Sequence, residues 1–160
     1  MGEDLRRRQE GLTTPGAPVF VIRSLDHALA AARAAADANR PILLLSAPDA
    51  GVFAGPGWWS ALVEAVHEAV PQALFTAVLD CGDDAGAAMA AIRSGVEALV
   101  FTGRADAAER LAEIAGATGV QALQQRPAPE IDLATHLIAD AETLRRAYAA
   151  ALRPCDDPAL

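Results

Sequence analysis

Asn39-Arg40-Pro41-Ile42-Leu43-Leu44-Leu45-Ser46 is the stretch that decides the fold. Proline has no amide hydrogen and disfavours helix in the residue before it, so Asn39 and Pro41 end whatever helix precedes them. The four aliphatic residues that follow show no polar alternation. A strand with one face in water would alternate. An unbroken apolar run of this length reads as a parallel strand covered on both faces. Parallel strands need crossovers, usually helices, so helices are expected on either side of this run.

Working outward, the pattern repeats. Upstream, Pro18 to Ile22 is another apolar run of strand length. Ser24 then offers an N-cap to an alanine-rich helix from Leu25 to Ala38. Downstream, Pro48 to Gly57 reads as a Gly/Pro-rich loop and Trp58 to Val70 as a helix, with Leu62, Val66 and Val70 on one side. Pro71 ends it. Ala73 to Leu79 is a third strand, closing on Asp80. Asp83 and Asp84 favour the start of a helix through its dipole; it carries Met89 and Ile92 and stops at Gly95. Ala98 to Phe101 is a fourth strand, Ala105 to Ala115 a helix with Gly116 near its end, and Val120 to Leu123 a fifth strand. Pro127 and Pro129 mark a linker. Beyond it, Leu133 to Ala139 is read as a short sixth strand, and Asp140 as the N-cap of a helix from Ala141 to Leu152.

Strand–helix units in series predict an α/β protein with a parallel sheet of five or six strands and right-handed crossovers. Two arrangements fit: half of a (β/α)₈ barrel, or an open three-layer sandwich of flavodoxin-like strand order. A complete barrel takes about 200 residues or more, so 160 residues cannot close one alone. Residues 1–16 are polar, with charges of both signs, and read as a disordered tail. Residues 154–160 read as a frayed end, which leaves a single domain over 17–153.

Composition bounds the chemistry. The chain is 52% hydrophobic, largely through alanine, and only 4% aromatic. Helices must therefore pack closely on small side chains, with core volume supplied by Leu, Ile and Val in the strands. The net charge of -8 repels a phosphate backbone, which argues against nucleic acid as a partner. All positive charge is arginine. Without lysine there is no Schiff-base chemistry and no P-loop. Residues 1–16 lack the apolar core of a signal peptide, so Cys81 and Cys155 are expected as reduced thiols in the cytoplasm. No apolar run is long enough to cross a membrane.

From Val19 to Gly103 the chain resembles the N-terminal half of class II, zinc-dependent fructose- and tagatose-bisphosphate aldolases. The resemblance is carried by the order of several pieces. These are the first strand with its alanine-rich helix, the run Asn39 to Ser46, and Phe53-Ala54-Gly55. Val78-Leu79-Asp80-Cys81-Gly82 and Ala91-Ile92-Arg93-Ser94-Gly95-Val96 follow. It covers about half the chain and implies a half-barrel. Asp80 falls where the family has an Asp that works as acid or base, and Cys81 where it has a zinc-binding His. Thr102-Gly103-Arg104 replaces the family's Asp-Gly-Ser. The family's other zinc ligands and its phosphate loop lie in the half that this sequence does not contain. The resemblance therefore implies a barrel-building segment with a degenerate metal site, and neither a metal nor a cofactor is expected.

Ligands of parallel α/β sheets bind at the C-terminal ends of the strands. The candidate ligand-facing residues are accordingly Ser46 after the second strand, Asp80 and Cys81 after the third, and Thr102 and Gly103 after the fourth. Asp80 is the candidate acid or base. Against this stands a structural account in which Asp80 caps the helix that follows or anchors the turn, and Cys81 is a small buried hydrophobe. Asp83 and Asp84 could extend an acidic cluster, or could serve only their helix. The loop from Gly51 to Gly57 precedes a helix, as anion sites do, but contains no Lys or Arg. Adjacent Trp58 and Trp59 cannot both face one side of a helix; either one belongs to the core and the other forms a contact surface, or both pack under the long loop. His27, His67 and His136 show no ligand spacing, and His27 and His67 fall within helices, where surface or capping roles are expected.

Three readings of function follow. The first is a non-catalytic aldolase-like protein acting through binding or assembly, a homodimer being one way to cover a sheet edge. The second is a scaffold or regulatory subunit that meets a protein partner through the Trp58/Trp59 region. The third is a small-molecule enzyme with a site rebuilt around Asp80 and Cys81.

Overall fold

The computed structural model describes residues 16–134 and 139–153. Strand β1 (Val19–Ile22) leads into helix α1 (Leu25–Ala38), and β2 (Ile42–Ser46) into a single turn α2 (Ala50–Phe53) and helix α3 (Gly55–Ala69). Then come β3 (Phe75–Asp80), α4 (Ala85–Arg93), β4 (Ala98–Val100), α5 (Ala105–Thr118), β5 (Gln121–Leu123), β6 (Ile131–Asp132) and α6 (Ala141–Ala151). The six strands form one parallel sheet in the order β5-β4-β3-β2-β1-β6.

This order separates the two expected arrangements. β1 to β5 follow one another across the sheet as they do in the chain, which is the winding of a half-barrel. A flavodoxin-like order would place β2 and β3 on opposite sides of β1. Right-handed crossovers that always step the same way put their helices on the same face. The helices do contact one another in the series α6-α1-α3-α4-α5, which matches the strand series from β6.

Side chains along a strand alternate between faces, and the core divides accordingly. Phe20, Ile22, Ile42, Leu44, Leu79 and Leu99 pack with the helices. Val19, Leu43, Leu45, Val78, Ala98 and Val100 form a separate apolar cluster on the other face. Burial on both faces is why β2 reads as an unbroken aliphatic run. Against the first face, α1 offers the buried Ala28, Ala31 and Ala35, small side chains that let a helix lie close to the sheet. Tyr148 of α6 packs against Phe20 in a tilted arrangement, with ring centroids 5.0 Å apart.

Caps fix the helix ends. The Ser24 side chain accepts from the His27 amide, Asp84 from Ala87 and Asp140 from Thr143. Asn39 ends α1 in the left-handed conformation at φ 50°, which asparagine tolerates better than most residues.

Three expectations need correction. Helix α3 starts at Gly55, inside the stretch read as loop, because Pro56 occupies the first turn, where a missing amide hydrogen costs no intrahelical bond. Helix α5 runs past Gly116 to Thr118; it is Gly119, at φ 77°, that ends it. The sixth strand lies at Ile131–Asp132, ahead of Leu133 to Ala139, of which residues 135–138 fall outside the described residues. Ile131 and Asp132 pair with Phe20 and Val21, the Glu130 amide donates to the Val19 carbonyl, and Arg23 grips Asp132 through two bonds of 3.0 and 2.9 Å. Tertiary pairing, rather than local apolar content, makes this segment a strand. His136, the tail over 1–15 and the end over 154–160, with Cys155, also lie outside the described residues. Among the described residues, no helix is long and apolar enough to cross a membrane.

Candidate functional site at the strand ends

Asp80 ends β3 and is 3% exposed. A carboxylate so buried needs partners, and the neighbouring strand ends supply them. Its Oδ1 accepts from the amides of Asp49, at 3.1 Å, and Gly82, at 2.8 Å. Its own amide donates to Ser46 Oγ at 2.8 Å, and that hydroxyl donates to the Ala47 carbonyl at 3.1 Å. Asp80 thus ties the loop after β2 to the loop after β3.

The local backbone is shaped for this. Gly82 adopts φ 55°, and a Cβ there would overlap Asp49 Oδ1. Asp49 itself holds φ 58°. Both residues therefore occupy the left-handed region while aiming their amides at one carboxylate oxygen.

The other oxygen of Asp80 takes a hydrogen bond from Nη1 of Arg126, while Arg126 Nη2 donates to the Ser46 carbonyl at 2.9 Å. Arg126 belongs to the segment between β5 and β6, residues 124–130, which crosses to the far edge of the sheet. Its guanidinium, one fork on a carboxylate and one on a carbonyl, sits where a strand-end ligand would bind. Sequence reasoning missed this residue. The available signal was indirect: a buried acid at a strand end calls for a cation, and Arg126 is one of the arginines that lie between elements.

The structure brings Ser46 and Asp80 together directly. Thr102 joins through the backbone, its amide donating to the Gly82 carbonyl at 2.8 Å, and its side chain is exposed. Gly103 lies under Phe101, whose ring occupies the space a Cβ would need. Cys81 turns the other way. Fully buried, it packs with the helix-facing core, and a Cβ on Gly51 would come within 2.7 Å of its Sγ. Burial, then the charges of Asp80 and Asp84, push the thiol up from 9.0 to about 12. The two neighbours leave the strand in opposite directions, and Asp80 already serves a guanidinium. These two side chains do not fit a shared zinc ion. Among the described residues, no three of His, Cys, Asp and Glu come together as a ligand set.

The raised thiol has two consequences. Iodoacetamide at neutral pH is expected to label Cys81 far more slowly in the folded chain than after denaturation, as read by peptide-resolved mass spectrometry. Rapid labelling in the fold would reveal an activated thiolate. The unfolded thiol ionises near 9.0 and the folded one near 12, so this group's contribution to stability is intact below pH 9 and is lost as pH rises towards 12. Cys81→Ala should flatten that decline.

The other candidates separate. Asp84 caps α4, and Asp83 is exposed beside it. Trp59 is in the core at 1% exposure, while Trp58 is 37% exposed, with ring centroids 5.9 Å apart. Near Trp58 in the chain, Val52 and Phe53 are also exposed, Phe53 at 84%. His27, expected at the surface or in a cap, is instead buried in α1, where its neighbours in the fold cover that side of the helix, and His67 stacks on Phe75 at 4.5 Å.

No protein-family model and no curated protein matches the chain. Among solved structures it is similar to the crystal structure of a chain assigned as a fructose-1,6-biphosphate aldolase from Coccidioides immitis, with a TM-score of 0.56 and 22% identity. The match covers 74% of this chain and 44% of that one, so this chain spans less than half the length of its structural neighbour. At that identity the likeness is one of fold: a parallel, aldolase-like α/β half-barrel.

Proposed function

We propose that this chain is a non-catalytic member of the aldolase-like fold that works through binding or assembly, its metal site degenerate. The observation that carries this reading is the Arg126 guanidinium seated on Asp80 and the Ser46 carbonyl. A carboxylate that must move protons or hold a metal needs a free oxygen facing the substrate. Here one oxygen is held by two backbone amides and the other by arginine. The buried, protonated thiol of Cys81 supports the same reading against a rebuilt enzyme site. The test is aldol cleavage. The purified chain, supplied with fructose 1,6-bisphosphate and zinc, is expected to release no triose phosphate above the buffer rate. Release that disappears in Asp80→Asn would overturn the proposal.

A second reading is favoured by the exposure of Val52, Phe53 and Trp58: this face is an assembly surface, used by a second copy or a protein partner. Native mass spectrometry would give the subunit count. If the chain is a dimer through this face, Phe53→Ser or Trp58→Ala should shift it to monomer with the thermal midpoint nearly unchanged. A monomeric wild type, or a dimer indifferent to both substitutions, removes this face from consideration.

A further inference from the structure

The slot that Arg126 fills is built without Arg126. Asp80 Oδ1 is fixed by the Asp49 and Gly82 amides, which aims Oδ2 outward whether or not a cation is there. The Ser46 carbonyl is placed by the pairing of β2 with β1, and the Ser46 hydroxyl is locked between the Asp80 amide and the Ala47 carbonyl. None of these contacts involves residues 124–130. The slot is a preorganised pair of acceptors, one charged and one neutral, spaced for two donors of a single planar cation. An ammonium presents a point charge, whereas a guanidinium offers parallel N–H donors on a rigid fork.

We propose that the strand-end slot formed by Asp80 and the Ser46 carbonyl is a guanidinium-binding site, which the chain fills with its own Arg126 and which a small guanidinium or amidinium compound can occupy in its place. The arginine of the strap, the segment over residues 124–130, is thus an internal occupant, and the ligand class is set by what it imitates. This rests on reading the chain as a non-catalytic protein that works through binding. The two can fail separately, because aldol cleavage would overturn that reading and leave the guanidinium preference in place.

Chemical rescue tests the proposal. Arg126→Ala is purified and its thermal midpoint measured with ethylguanidinium, and with ethylammonium at the same low concentration and ionic strength. Ethylguanidinium is expected to raise the midpoint and slow hydrogen exchange at the Asp49 and Gly82 amides, and ethylammonium to do neither. Wild type, its slot filled, should show no such difference, and neither should the double variant Arg126→Ala/Asp80→Asn. Rescue by an acetylated arginine amide as well would show that the head group alone is read. Equal effects of the two cations on Arg126→Ala, or a rescue that survives in the double variant, would overturn the proposal. Should Arg126→Ala fail to fold, Arg126→Lys retains a charge for Asp80 but cannot fork to the Ser46 carbonyl. Faster amide exchange over residues 124–130 in that variant supports the proposal, and wild-type exchange there refutes it.

Discussion

Arg126→Ala is expected to destabilise the fold by about 2–3 kcal/mol, as read from urea unfolding. Removing one partner of a fully buried ion pair costs about 3–5 kcal/mol, because the remaining charge stays buried without compensation. The Asp80 side chain is 5% exposed but Arg126 is 23% exposed, so water reaches one flank of the pair and the cost falls to the bottom of that range or just below it. Asparagine at position 80 would keep an oxygen for the Asp49 and Gly82 amides while removing the charge. In the Asp80→Asn background, Arg126→Ala should therefore cost less than about 1 kcal/mol. If the cost is the same in both backgrounds, the guanidinium stabilises through its stem and not through the pair. Against a typical total stability of about 5–15 kcal/mol, a single strap residue would carry a substantial share.

Trp59→Ala should have the larger effect, about 3–5 kcal/mol, the range for deleting a buried large aromatic. Trp59 is 1% exposed within the helix-facing core. Among the described residues its Nε1 has no hydrogen-bond partner, so Trp59→Phe removes an unmet donor along with some volume and should cost only about 1–2 kcal/mol. Trp58→Ala, at an exposed neighbour, should cost less than about 1 kcal/mol. Chemical denaturation of the three variants checks the order. Comparable costs at Trp58 and Trp59 would mean that both rings are buried in solution, most simply by association through the Trp58 face.

Much of this fold is legible because its signals are local. Ile42 to Leu45 is unbroken because β2 is buried on both faces, and Ser24 and Asp140 announce their helices as caps. Legibility fails where a contact from elsewhere in the chain decides. Gly55-Pro56-Gly57 contains two glycines and a proline, which read as loop, yet proline is at home in a helix's first turn. Ile131-Asp132 is too short to declare a strand and becomes one only beside Phe20 and Val21. Strand order is a property of pairs of segments, so the serial winding could be offered only as one of two arrangements. At the strand ends, Asp80 could be picked out, because a chain position after a strand is a sequence property. Its partner could not. Gln125-Arg126-Pro127 resembles any polar linker, and nothing near it in the chain points to a carboxylate 46 positions away. Cys81 shows the same limit: which way a residue turns as it leaves a strand is settled by the packing it meets.

β6 and α6 lie against the first strand and first helix, and the Arg23–Asp132 pair joins positions 109 apart in the chain. The other strand neighbours are consecutive units, which can meet early because short loops close readily. The unit of β1 and α1 thus depends on contacts from the far end of the described fold. Until the C-terminal arm arrives, β1 has an open edge and Phe20 lacks the ring of Tyr148. Folding should show a late step, sensitive to substitutions at Tyr148 and Asp132 and little affected by those around β4 and β5. A chaperone acting on the unfinished fold would find its binding surface along the open edge of β1.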